Sequence, residues 1–226
     1  MTFSEIKNSI TIPIEKDGIY TIPAFENGYY PKFYFNKTCP NNVNVDITIR
    51  LIPDYQGALV SDGVDDYGLC ENFPILTKEK GYTVCAIRAI INTTNTGSIL
   101  GNGTNYTNCS FLFEYYAKSE TENIIRTISF GAVSELNPQP SRNISFIYQT
   151  KDKYNGKVIG VGNTTQGGNT LALFAPFKNG RVSSIVLYAL EIYDRDLTDE
   201  EISTVKARMI AEYEEKTGNK YEEETV

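Results

Sequence analysis

The stretch that most restricts what this chain can fold into is Asn179 to Ile202, NGRVSSIVLYALEIYDRDLTDEEI. From Val182 to Ile192 it is apolar or aromatic at almost every position. Such side chains suit a pleated, half-buried surface, and a run of them bounded by turn residues is consistent with a buried strand. Asp194-Arg195-Asp196 breaks the run. Thr198 with Glu201 three residues later then forms a capping box. The Thr hydroxyl takes the amide of Glu201, and the Glu carboxylate takes the amide of Thr198. Asp199, Glu200 and Glu201 put negative charge in the first turn, where the helix dipole favours it. A helix is therefore expected over 198–216. Ile202, Val205, Met209, Ile210 and Tyr213 give it an apolar stripe, and Gly218 gives it a stop. The tail from Tyr221 onward is expected to be mobile.

Upstream, the chain reads as short strands separated by turn signals. Ser9 to Glu15 and Ile19 to Ala24 flank Lys16-Asp17-Gly18 as a hairpin. Val43 to Leu51 alternates strictly, with Val43, Val45, Ile47, Ile49 and Leu51 on one face, which predicts a strand with one dry face. Pro53-Asp54 interrupts it, and a boundary is placed near residue 57. The reading divides the chain into an N-terminal β unit over 1–57, suited to anchoring or oligomerisation, and a larger β domain over 58–226. Within the second part, strands are expected at 58–60, 81–91, 110–118, 124–130, 143–150, 158–161 and 170–174. Asn155-Gly156 marks a hairpin tip.

Composition narrows the chemistry. The chain has no His, which removes Ser-His and Cys-His nucleophile pairs and His-ligated zinc. A formal charge of −7 argues against a phosphate-binding nucleic-acid partner, which needs clustered Lys and Arg. No run approaches a membrane span. Cys39, Cys70, Cys85 and Cys109 include no C-x-x-C pair, which disfavours a zinc ribbon or a thioredoxin-like site. Two disulfides would suit an oxidising compartment. The N-terminus lacks a basic region followed by an apolar one, so four mostly buried free thiols are expected instead. Seven N-x-S/T sequons, Asn92, Asn102, Asn105 and Asn108 among them, follow from the Asn- and Thr-rich composition and are expected to be unglycosylated.

Two motifs carry a family resemblance. Asp62-Gly63-Val64-Asp65-Asp66-Tyr67 is similar to the opening motif of LamG-like, concanavalin A-like jelly-roll modules. Tyr193-Asp194-Arg195-Asp196-Leu197, followed by the capping box, resembles their closing motif, where an Ala is common in place of Asp196. Ser98-Ile99-Leu100-Gly101 and Tyr154-Asn155-Gly156-Lys157 resemble steps between them. The resemblance covers about Leu59 to Lys206. It implies an all-β, two-sheet antiparallel jelly-roll sandwich whose first and last strands lie side by side, here with a small N-terminal β unit and a C-terminal helix. A Trp-His pair often found in the family has no counterpart here, which weakens transfer of a ligand site. The texture of the sequence, low in Trp and Cys and rich in Asn, Ile and Lys, is similar to structural proteins of tailed phages of gut bacteria. That implies a virion location and a homo-oligomer whose partners are other virion or surface proteins and host glycans. A bacterial cell-surface or extracellular module is the alternative.

Three groups of residues are candidates for function. Asp62, Asp65 and Asp66 could ligate calcium through carboxylate oxygens, or could build the turn and cap amides; no other cofactor is implied. Tyr115, Tyr116 and Tyr148 could form a platform for sugars, since Tyr rings both stack and hydrogen-bond. Glu191, Asp194 and Asp196 are a tempting carboxylate set. Their spacing does not match the alternate-residue arrangement of jelly-roll glucanases, and they sit at a turn. The chain is therefore expected not to be an enzyme.

Overall fold

The structure, a computed structural model, describes residues 2–3, 33–34, 55–63, 66–92, 97–103, 105, 107–118, 123–136, 143–174 and 183–222. The chain divides into two compact units, Met1–Leu51 and Ile52–Val226. In the first, β1 (Thr2–Phe3) pairs antiparallel with β2 (Phe33–Tyr34). The strands expected at 9–15, 19–24 and 43–51 lie outside the described residues.

The second unit runs β3 (Leu59–Asp62), β4 (Gly68–Cys70), β5 (Thr83–Asn92), β6 (Gly97–Asn102), β7 (Phe111–Lys118), β8 (Asn123–Ser129), β9 (Ala132–Leu136), β10 (Ser145–Thr150), β11 (Lys153–Tyr154), β12 (Lys157–Val158), β13 (Leu171–Leu173), β14 (Ser184–Tyr193) and α1 (Asp199–Thr217). The first sheet has the order β12-β11-β10-β5-β14-β3 and the second β4-β13-β6-β7-β8-β9. All their pairings are antiparallel. The architecture is a two-sheet antiparallel sandwich of jelly-roll type with one C-terminal helix. Its first and last strands do lie side by side: Leu59 faces Leu187 and Asp62 faces Ser184.

The apolar continuity of β5 and β14 has a direct cause, because both faces of the first sheet are covered. Val84, Ala86 and Ile90 of β5, with Ile185 and Leu187 of β14, point between the sheets. Cys85 and Ile87 point the other way, against Ile202, Val205, Met209 and Tyr213 of the helix. Burying each of those large helix side chains contributes about 1.5–3 kcal/mol. The predicted capping box is present. Thr198 Oγ1 accepts from Glu201 N–H at 3.2 Å, and Glu201 Oε2 accepts from Thr198 N–H at 2.9 Å. Gly218 ends the helix in the left-handed region, φ 73°, and its N–H donates to Glu214 O, a conformation that costs a Cβ-bearing residue strain.

Between the sheets Tyr82 packs against Phe111 and Phe130, with ring centroids 5.2 and 5.7 Å apart. Its hydroxyl accepts from Gln149 Nε2 at 2.6 Å, and the same amide donates to Ile128 O at 2.9 Å. Thr127 donates to Gln149 Oε1. This buried polar cluster is therefore satisfied internally, as the cost of stranding such groups demands.

Two features depart from the sequence expectation, while the described cysteines agree with it. β4, β6 and β9 are strands that the sequence reading does not announce. Residue Tyr221 is docked rather than loose: its N–H donates to Glu214 Oε1 at 3.0 Å, and its hydroxyl accepts from Phe146 N–H at 2.8 Å. The reversal at Gly218 brings it back. Of the cysteines, Cys85 and Cys109 are buried and Cys70 is exposed, all three free; Cys39 lies outside the described residues.

Candidate functional site

The closing stretch gathers most of the acidic chemistry, so its geometry comes first. Glu191 and Tyr193 lie two apart on β14 and share the face that α1 covers. Glu191 Oε2 accepts from the Tyr193 hydroxyl and from Arg208 Nη2, the latter at 2.6 Å. Cys85 is opposite Glu191 in the register. Burial, followed by the carboxylate's charge, pushes the Cys85 thiol up to about 12. Burial, then the hydrogen bond to Glu191, pushes Tyr193 up to about 12 as well. Both groups are held in their protonated, unreactive forms at neutral pH.

Asp196 has a different task. Its Oδ1 accepts from Tyr82 N–H at 3.3 Å and Lys151 N–H at 3.1 Å. Its Oδ2 lies 3.1 Å from Lys151 Nζ. The carboxylate therefore joins the start of β5, the turn after β10 and the approach to α1. Gly81 makes this possible: a Cβ there would stand 2.3–2.5 Å from the Asp196 carboxylate atoms, and its φ is +78°. Asp194 is exposed at the turn. Arg195 forms a two-pronged pair with Glu201, at 2.9 and 2.7 Å. Glu191, Asp194 and Asp196 are thus not brought together around one cleft; Glu191 faces the helix and Asp196 faces the turn.

The other candidates are placed as follows. Asp62 ends β3 opposite Ser184 and Asp66 is exposed, whereas Asp65 and the side chain of Asp62 lie outside the described residues. Among the described residues no group of three or more Cys, Asp or Glu is placed to hold a metal ion. Tyr115 and Tyr116 sit on β7 of the second sheet, opposite Ser98 and Gly97. Tyr148 sits on β10 of the first sheet, so the three tyrosines do not belong to one sheet. Tyr148 is half-buried, 6.3 Å from Phe146, and burial first, then the charge of Asp199, raises its pKa. Of the sequons, Asn102 is buried, and its Oδ1 accepts from Ser110 N–H and Phe111 N–H at 2.9 and 3.1 Å. Its side chain is out of reach of a glycosylating enzyme in the folded chain.

The sequence reading passes over one concave feature. A groove of about 260 Å³ opens beside the end of β3, lined by Gly57, Ala58, Leu59, Leu173, Leu187, Tyr188, Ala189 and Leu190. It lies where β3 begins, at Leu59 opposite Leu187, while β14 continues to Tyr193. β14 also carries an irregularity between Leu187 and Ala189, and the Tyr188 ring packs on the helix side, edge-on to Tyr213 at 4.9 Å. Leu59 is 60% exposed and Val60 45%. An irregular β14 inside an apolar run leaves no signal in residue pattern.

No family model matches the chain, and neither does any curated protein. Solved structures similar to it include Trypanosoma rangeli sialidase, at 16% identity and TM-score 0.48, covering 66% of this chain and 27% of the sialidase. A heptameric SAP-like pentraxin from Limulus polyphemus is 18% identical, with TM-score 0.46, covering 68% of this chain and 83% of that one. Botulinum neurotoxin type C, which reaches the cell interior dependent on interaction with two ganglioside molecules, is 10% identical, with TM-score 0.40, covering 67% and 46%. The chain spans only 27% of the sialidase's length. The fold stands on its own strand pairing rather than on these likenesses.

Proposed function

We propose that this chain is a non-catalytic structural or adhesion component of a phage particle, a LamG-like sandwich serving in a fibre, capsid decoration or tail appendage. One observation carries the non-catalytic part: the carboxylates that could have formed an acid–base pair are engaged in holding the fold. Glu191 is bonded to Tyr193 and Arg208, Asp196 to two amides and Lys151, and Glu201 to the helix cap and Arg195. The N-terminal unit is the part assigned to anchoring or oligomerisation. Mass spectrometry of purified particles, with sedimentation of the isolated chain, tests this. A strictly monomeric chain absent from particles would sink it.

A second reading, a carbohydrate-binding module of a bacterial surface or secreted protein, is favoured by the groove beside β3. Its concave, mainly apolar lining suits the face of a sugar ring. A glycan array separates the two: strong, competable binding to one polysaccharide class, lost in Tyr188→Ala, selects the second reading. Activity on a polysaccharide that vanishes in Glu191→Gln would overturn both.

A further inference from the structure

The loop between β11 and β12 is Asn155-Gly156, and both residues are exposed. Three groups of Tyr148, on the neighbouring strand β10, converge on it. Tyr148 N–H donates to the side-chain carbonyl oxygen of Asn155, Oδ1, at 2.8 Å. Tyr148 O accepts from Asn155 N–H at 3.0 Å. The Tyr148 hydroxyl stands over Gly156, 3.7 Å from where a Cβ would be. Among the described residues no backbone carbonyl takes the Gly156 N–H. The Asn155 amide is thus held in place with its carbonyl polarised by a donor. The next backbone nitrogen belongs to a residue with no side chain to obstruct an approach.

A second Asn-Gly pair shows the opposite arrangement. Asn102 is fully buried, and its Oδ1 accepts from Ser110 N–H and Phe111 N–H. Its Nδ2 donates to Gly168 O at 3.4 Å, and Gly103 N–H donates to Thr170 O at 3.3 Å. There the neighbouring nitrogen is engaged, and the amide is sealed from water.

We propose that Asn155 is a self-modification site, at which the Gly156 nitrogen attacks the Asn155 side-chain amide and turns it into an acid. The Gly156 nitrogen forms a bond to Asn155 Cγ, and the charge gathering on Oδ1 is met by Tyr148 N–H. The proton lost from Gly156 passes to the Tyr148 hydroxyl, whose own proton moves on through water to Nδ2. The Cγ–Nδ2 bond then breaks and ammonia leaves. Water opens the resulting cyclic imide at either carbonyl, giving aspartate or isoaspartate. Both products add a negative charge at the hairpin tip. The isoaspartate also routes the main chain through the former side chain, which takes the acceptor away from Tyr148 N–H and loosens the β11–β12 end of the first sheet.

Peptide mapping by mass spectrometry of the full chain, aged at mildly alkaline pH either folded or in urea, tests this. In the folded chain Asn155 should take on the mass of an acid and yield both isomers. Asn102 should convert about tenfold more slowly or less, the scale of protection that local structure confers. In urea the two sites should react alike. Tyr148→Phe keeps the backbone donor and removes the hydroxyl. It should slow Asn155 about tenfold in the folded chain, the low end for a positioned proton acceptor, and leave the rate in urea unchanged. Three results would each overturn the proposal: an Asn155 that stays an amide in the folded chain while converting in urea, an Asn102 that keeps pace with it in the folded chain, and a folded-state rate unmoved by Tyr148→Phe.

Discussion

Replacing Asp196 by Ala separates a carboxylate that holds the fold from one that serves a ligand. The side chain accepts two backbone amides, from Tyr82 and Lys151, at 3.3 and 3.1 Å. Hydrogen bonds to a charged group contribute about 1.5–3 kcal/mol each, and bonds this long belong at the low end, so together they give about 3 kcal/mol. The ion pair with Lys151 adds little, since its partners are 26% and 34% exposed; about 0.5 kcal/mol is the scale for such a pair. Asp196→Ala should therefore lose about 3 kcal/mol, which for a unit of this size lowers Tm by about 6–12 °C. Asp196→Asn keeps a neutral acceptor at Oδ1 and should lose only about 1 kcal/mol. Urea and thermal melts followed by circular dichroism report both. A loss below about 1 kcal/mol for Asp196→Ala, above all with a binding function abolished at unchanged Tm, would refute the structural assignment of this carboxylate.

Three further outcomes are expected. Gly81→Ala should destabilise by about 2 kcal/mol or more, because a positive φ and a blocked approach act together. Its cost should shrink in the Asp196→Ala background, which a double-mutant cycle on urea midpoints detects. Glu201 is held down at about 2 from an ordinary 4.5, by Arg195 first and then the Thr198 amide. A depressed folded-state pKa adds stability above the ordinary value and loses it as pH falls toward the folded one. Helix content by circular dichroism should thus fall as pH drops from about 4.5 to about 2, and Glu201→Gln should flatten that part of the curve. Finally, in a Cys39→Ser background a thiol reagent should label Cys70 in the native chain. Cys85 and Cys109, each pushed up to about 12 chiefly by burial, should react only after denaturation; labelling of Cys85 at the Cys70 rate would contradict the structure.

Much of the sandwich is legible in residue order because the local signals agree with the tertiary ones. The apolar run before Asp194, the capping box and Gly218 each found their structural counterpart. So did Asn155-Gly156, which turns with φ of 44° and 78° between Tyr154 and Lys157, as a two-residue hairpin loop requires. The strand β9 shows the limit. Its hairpin with β8 turns through Phe130-Gly131, also with both φ positive, 45° and 89°. A Phe at the first turn position announces no turn, because its ring is recruited to the core beside Tyr82 and tertiary packing overrides local preference. β4 is hidden for another reason: three residues are too few for any period to appear. Site chemistry was less legible than fold. Glu191, Asp194 and Asp196 look like one group along the chain, but the alternation of β14 and the turn after it send their carboxylates to different places. Arg208, the partner that occupies Glu191, lies on the next element, where spacing alone does not point.

The pairing of β3 with β14 also sets a timetable. β14 stands between β5 and β3 in the first sheet, yet it is the last strand to be made. Among the described residues, β5 has β10 as its only strand neighbour during synthesis, and β3 has none, until the chain has been extended through Tyr193. Contacts so distant along the chain are slow to form, and strands waiting without partners are exposed to the wrong ones. For this architecture completion of the first sheet comes as one late event, when a single strand slides into the gap between two that precede it in the chain.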